Sequence, residues 1–245
     1  MYLTDYLWFL GAIVLCSLFA AYASIKVNST FSKYNNVPNL SGMTGYDTAL
    51  RLLNSNGIND VSIGRVGGKL SDHYDPRREI VNLSDSTYGN PTVAAVAVAA
   101  HELGHVMQKK RGYFFFKIRT ALVPVVNFGS RLAFPLVLIG LLLDIFTVNL
   151  AADIGFYVAM AGVILYGGSF LFALVTYPVE LNASRRARKM LLNEFILTES
   201  EIVGAKRVLS AAALTYLASL LTSLVYFLRF FIYVVTIFGR RNRRD

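Results

Sequence analysis

Two histidines and a glutamate share one short stretch: His101, Glu102 and His105. Four residues advance an α-helix by about one turn, so the imidazoles of His101 and His105 stack on one face. Two imidazoles so placed can hold one zinc ion. Glu102 is rotated by roughly 100°. There it can reach a water on the metal more easily than the metal itself. Zinc lowers the pKa of such a water to about 7, and a carboxylate then takes its proton. The spacing H-E-x-x-H thus encodes two ligands and a general base. The chain has only three histidines. Two of them fall in this register around a glutamate, which argues against coincidence.

The element that must position them is the run Val93 to Gln108, expected as part of a helix over 92–110. Pro91 suits a helix start, and no breaker follows until Gly104. The first half of the run is small and apolar, which predicts burial, and buried imidazoles and carboxylates need partners.

The 245 residues are 55% hydrophobic, with a mean hydropathy of +0.49. That is too apolar for an ordinary soluble domain and predicts a mainly α, multi-pass membrane protein. The formal charge of +9 then reads as basic flanks at an anionic leaflet, not as nucleic-acid binding. No nucleic-acid motif is present. Cys16 is the only cysteine, so no disulfide forms within the chain.

In order, residues 7–25 read as a spanning helix. A cleavable signal peptide is the rival, given Ala21-Tyr22-Ala23, but the basic start it wants is missing. Residues 26–120 form a first polar region. Thr44 to Asn56 reads as an amphipathic helix with Tyr46, Ala49, Leu50 and Leu53 on one side and Gly57 at its end. Asp60 to Val66 and Glu79 to Leu83 read as strands, with a Gly67-Gly68 turn between them. Residues 121–175 read as two spans, Ala121 to Leu143 and Ile154 to Val175, joined by a short connection from Asp144 to Asp153. Tyr177-Pro178-Val179 is expected to open a new polar helix within 176–208. Thr198 to Glu201 resembles a capping box. Residues 209–238 form a last apolar segment, spanning or re-entrant, before a basic tail at 239–245. Lysine and arginine flank the middle spans on one side only. This predicts an outside amino terminus and both polar regions on the cytoplasmic side of the cell membrane. A basic tail on the far side of a fully crossing last segment would conflict with that rule.

A catalytic zinc needs a third protein ligand and an open position. Asp144 and Asp153 fall on the opposite side. Glu180 emerges just after the third span, on the side of His101 and His105, and the two spans return the chain to where it left. A carboxylate favoured by a helix start is the plainer reading of Glu180. Glu194 is the rival ligand. Ser184, one turn beyond Glu180, can orient a ligand imidazole. His73 is either a solvated turn residue or a donor to the transition state. Arg185 is the alternative electrophile, although Arg185, Arg186, Arg188 and Lys189 also read as a solvated basic band.

The chain resembles the YugP-type neutral zinc metallopeptidases of bacterial membranes. The resemblance lies in Leu40 to Gly45, Leu70 to Pro76, Val93 to Gln108, Pro178 to Ala187 and Ala211 to Tyr216. It implies a zinc-dependent endopeptidase with a small, gluzincin-like α+β domain interrupted by a transmembrane hairpin. It also implies one Zn2+ per chain, His101, His105 and Glu180 as ligands, and Glu102 as base. The wider gluzincin pattern often has Asp where this chain has Ser184.

The expected function is therefore hydrolysis of a peptide or membrane-protein substrate beside the lipid bilayer. A strand edge near Ile80 to Leu83 is expected to hold the substrate extended. The alternatives are a non-proteolytic membrane scaffold with a structural or absent zinc, and a metallohydrolase of non-peptide substrates.

Overall fold

A computed structural model describes residues 2–146 and 154–241. Most of the expected 144–153 connection, and the tail beyond 241, lie outside the described residues. Seven helices and a small sheet follow in the order α1 (Tyr2–Tyr34), α2 (Gly45–Ser55), β1 (Ser62–Val66), β2 (His73–Asp75), β3 (Ile80–Ser84), α3 (Asp85–Tyr88), α4 (Val93–Lys110), α5 (Phe114–Phe146), α6 (Ile154–Asn193) and α7 (Ile202–Arg241). They divide into two compact units. One holds the chain up to Ala20, Ile118–Thr176, and Leu217 onward; the other holds Ala21–Lys117 and Tyr177–Tyr216.

In the first unit, α1, α5, α6 and α7 supply the apolar lengths. Among the described residues, four helices are long and apolar enough to cross a membrane, with candidate segments Leu7–Tyr34, Phe114–Leu143, Ile154–Asn193 and Ile202–Ile237. The protein is a membrane protein. Small residues let α5 and α6 approach closely. A Cβ on Gly140 would sit 2.5 Å from the Ala159 nitrogen, and one on Gly162 would sit 2.6 Å from the Ala133 oxygen. Position 133 opposes 162 and 140 opposes 159, so the two helices run antiparallel through backbone-close contacts. Arg229, a charge inside an apolar helix, lies 4.2 Å over the ring of Phe9, where the aromatic face receives its cation.

In the second unit, α2 starts on a Thr44–Asp47 capping box, and Gly57 follows its end at φ +66°. Its buried face is Gly45, Thr48, Ala49, Leu52 and Leu53. The expected face is corrected: Leu50 is 41% exposed, because the apolar stripe is rotated toward Thr48 and Leu52. The sheet has the order β1-β3-β2. β1 pairs parallel with β3, Ser62 opposite Ile80, and β2 pairs antiparallel with β3, Tyr74 opposite Val81. The turn at Gly67-Gly68 therefore does not close a hairpin between the two expected strands. It feeds a third strand, β2, on the far side of β3.

Helix α4 is capped by Thr92, whose side chain accepts from the Ala95 N–H. Its Val93 N–H donates to the Val37 carbonyl at 2.9 Å. Val96, Ala100, Leu103 and Val106 are buried against Leu52, Leu83, Val179 and Leu191. The new helix expected at Tyr177 is not there: α6 runs unbroken from Ile154 to Asn193 with Pro178 inside it. The proline removes one N–H from the ladder, while the buried residues Val179, Ala183, Ala187 and Leu191 after it keep the helix packed. Glu180 is thus mid-helix, and the helix-start reading of its charge falls.

Candidate metal centre

The centre forms where α4 crosses the second half of α6. Gly104 makes the crossing close: a Cβ there would meet the Ala183 carbonyl oxygen at 2.6 Å. Glu180 and Ser184 flank Ala183 on α6 and so face the two histidines of α4. His101 Nε2 lies 3.1 Å from Glu180 Oε2, and His105 Nε2 lies 3.4 Å from the same oxygen. The donor atoms of all three residues lie within 4.8 Å of one another. Glu180 is 1% exposed.

The far nitrogens of both rings are also held. His101 Nδ1 lies 3.2 Å from Ser184 Oγ. His105 Nδ1 lies 3.0 Å from Gln108 Oε1, and Gln108 Nε2 donates to the Val179 carbonyl at 2.7 Å and to Asn182 Oδ1 at 3.1 Å. A carbonyl only accepts, so the Val179 contact fixes which end of the Gln108 amide is nitrogen. Its oxygen then faces His105, whose Nδ1 must carry the proton. The lone pair of His105 is left on Nε2, toward Glu180. The set of two imidazole nitrogens and one carboxylate fits a three-ligand zinc site.

Glu102 is buried beside this cluster. Burial raises its carboxyl to about 7, the charges of Glu180 and Asp72 push the same way, and His101 and the Tyr74 backbone N–H pull against them. Asp72 is itself fastened by the Ser84 N–H at 2.7 Å and the Ser84 hydroxyl at 2.8 Å. A cavity of about 160 Å³ opens beside His101 and Glu102, with Phe31, Val98, Val208 and Leu209 among its apolar walls. Thr215 and Tyr216 of α7 also line it.

The other candidates lie elsewhere. His73 is exposed, and its ring nitrogens face the Ser71 carbonyl at 2.9 Å and Asn82 Nδ2 at 3.1 Å. Glu194 is 3.7 Å from Arg51, outside the histidine cluster. Arg185 lines a different cavity. Gln108, Asn182, Asp72 and Tyr216 have no place in the sequence-based site. Gln108 had a signal, because it stands three positions after His105 and shares its side of the helix. The other three were marked only by lying in the resembling segments Leu70 to Pro76, Pro178 to Ala187 and Ala211 to Tyr216.

A family model described as "Putative neutral zinc metallopeptidase" matches residues 8–235. The chain is 44% identical over 209 residues to "Putative membrane protease YugP" of Bacillus subtilis (strain 168), covering 85% of this chain and 88% of that protein. No solved structure matches.

Proposed function

The chain belongs to the family described as "Putative neutral zinc metallopeptidase", and from that premise we propose that it is a membrane endopeptidase that cuts peptide bonds at this centre. The observation that carries the reading is the convergence of His101, His105 and Glu180 beside a buried glutamate at a cavity wall. In the proposal these three hold one zinc ion in a small gluzincin-like domain. When bound, zinc supplies Lewis acidity and makes a water nucleophilic near neutral pH.

The chain's own residues do the rest. The Glu102 carboxylate takes the proton of the attacking water. The water oxygen bonds to the peptide carbonyl carbon, the C–N bond breaks, and Glu102 returns the proton to the leaving amine. A carboxyl near 7 is matched to both halves of that task. Ser184 and Gln108 keep the imidazoles oriented. The apolar walls of the cavity accommodate one apolar side chain of the substrate beside the cleaved bond. Tyr216, on the same cavity, is better sited to assist the carbonyl than His73 or Arg185.

The edge expected at Ile80–Leu83 cannot receive a strand, since β3 is paired on both sides. The outer edge of β2 takes that role: β2 pairs only with β3 among the described residues, and its Tyr74 N–H points at Glu102. A strand edge favours peptides over small molecules. A structural metal has no use for a buried carboxylate beside its ligands, which speaks against the scaffold. The lysine and arginine asymmetry supports a cytoplasmic site.

The test is zinc content and peptide hydrolysis of detergent-purified protein. Wild type should hold about one zinc and cleave. Glu102→Gln should keep the zinc and lose cleavage by 10²-fold or more, on the order of general-base loss. Glu180→Ala should lose the zinc and Glu194→Ala should keep it. Proteolysis by Glu102→Gln, or zinc retained by Glu180→Ala, overturns the assignment.

A further inference from the structure

A second cavity, about 430 Å³, lies in the same unit and is absent from the mechanism. Arg111 from the end of α4 and Arg185, Arg186 and Lys189 from α6 line it, with Asn182 and Asn193 between them. Its only carboxylate is Glu194, which is engaged with Arg51. Among the described residues none of the four cations forms an ion pair with an acid. Arg186 is partly buried and is held by a hydrogen bond of 2.8 Å from its Nε–H to Asn182 Oδ1. That leaves the rest of its guanidinium fork for another acceptor. Like charges gathered around a concave space, with amide donors beside them and no matching acid, favour an anionic occupant.

The geometry points to a binding site for a phosphate-class oxyanion, held by Arg111 and Arg186 with Arg185 and Lys189 as supporting charge. Guanidinium groups match the oxygens of phosphate two at a time, which a lysine cannot do. The same chemistry is offered by a free phosphate and by the phosphodiester of an anionic lipid headgroup. The site does not depend on the peptidase reading. Its nearest link to the metal centre is Asn182, which accepts from both Arg186 and Gln108.

The experiment uses the full-length, zinc-loaded chain in detergent and has two arms. One reads the unfolding temperature against inorganic phosphate at constant ionic strength. The other reads, by native mass spectrometry, phosphatidylglycerol retained from mixed micelles against phosphatidylcholine. The variant is Arg111→Gln with Arg186→Gln. The control is Arg188→Gln with Lys206→Gln, which removes equal charge away from the cavity. A saturable phosphate response, selective phosphatidylglycerol retention, or both should appear in wild type and in the control. Either should weaken on the order of tenfold or more in the cavity variant, as for lost charge-assisted hydrogen bonds. A phosphate response alone identifies a soluble ligand; lipid retention alone identifies a headgroup. Neither response in wild type, or equal responses in the cavity variant, overturns the site. Should the cavity variant fail to fold, Arg186→Lys serves. It keeps the charge and loses the fork, and an unchanged response there overturns the site too.

Discussion

Gln108 carries no charge and touches no substrate, yet its replacement by leucine should strip zinc from the protein. Gln108 is fully buried. Its amide is turned by the Val179 carbonyl so that its oxygen accepts from His105 Nδ1. Gln108→Leu leaves that Nδ1–H buried with no acceptor, which costs about 1–3 kcal/mol. The ring escapes by moving its proton to Nε2, the atom that faces Glu180, and a protonated nitrogen cannot ligate. Losing a hydrogen bond behind a ligand imidazole lowers metal affinity by about 10–100-fold, or about 1.4–2.7 kcal/mol. The Val179 and Asn182 groups lose a donor as well. Asn182 keeps Arg186, so the fold should survive. The assay is zinc competition against a chelating dye. Nitrogen-15 imidazole spectra of the metal-free protein serve as an independent readout of the tautomer. Gln108→Glu separates the hydrogen bond from the packing: it still accepts from His105, but it sets an oxygen against the Val179 carbonyl. It should lose stability but keep zinc, where leucine loses zinc. A leucine variant within threefold of wild-type zinc affinity, with its Nδ1 proton in place, would refute the reasoning.

Two further outcomes follow from contacts on either side of the centre. Gly104→Ala places a methyl 2.6 Å from the Ala183 oxygen. It should cost about 1–3 kcal/mol in stability as an overpacked contact, and should weaken zinc binding by forcing Glu180 away, both readable by thermal unfolding and zinc titration. Glu79 tests pH dependence. Burial raises its carboxyl, but hydrogen bonds from Lys109 and Tyr74 outweigh this and lower it. A lowered folded value means its contribution is present above the unfolded value of about 4.3 and is lost as pH falls through the folded one. Wild type should therefore lose unfolding midpoint more steeply below about pH 4.3 than Glu79→Gln does, and matching acid limbs would show that the cluster contributes nothing.

The parts of the site that share a helix turn were legible; the parts that meet across the fold were not. His101, Glu102 and His105 are local, so spacing alone sets their geometry. Glu180 could only be narrowed by asking which side of the membrane each acid falls on and where the two spans return the chain, and Glu194, in a charged surface helix, stayed as the weaker rival. What separates them is the Gly104–Ala183 crossing, a tertiary contact. Pro178 misled because a proline is read as a boundary, whereas here buried neighbours on the same face carry the helix through it. β2 is three residues long, too short for alternation to register, and its insertion turns an apparent hairpin into a parallel pair. Gln108 escaped because a neutral amide announces no chemistry until its partners are known.

His101 and Glu180 stand 79 positions apart, and synthesis makes the histidine helix first. At the usual pace of translation, about 5–20 residues per second, roughly 4–16 s pass before Glu180 exists. Through that interval the nascent chain carries His101, Glu102 and His105 but not Glu180. It cannot assemble the complete donor set while α5 and the apolar start of α6 are still being delivered to the bilayer. The order of residues along the chain thus acts as a timer, delaying the completion of the donor set until the second half of α6 has been made.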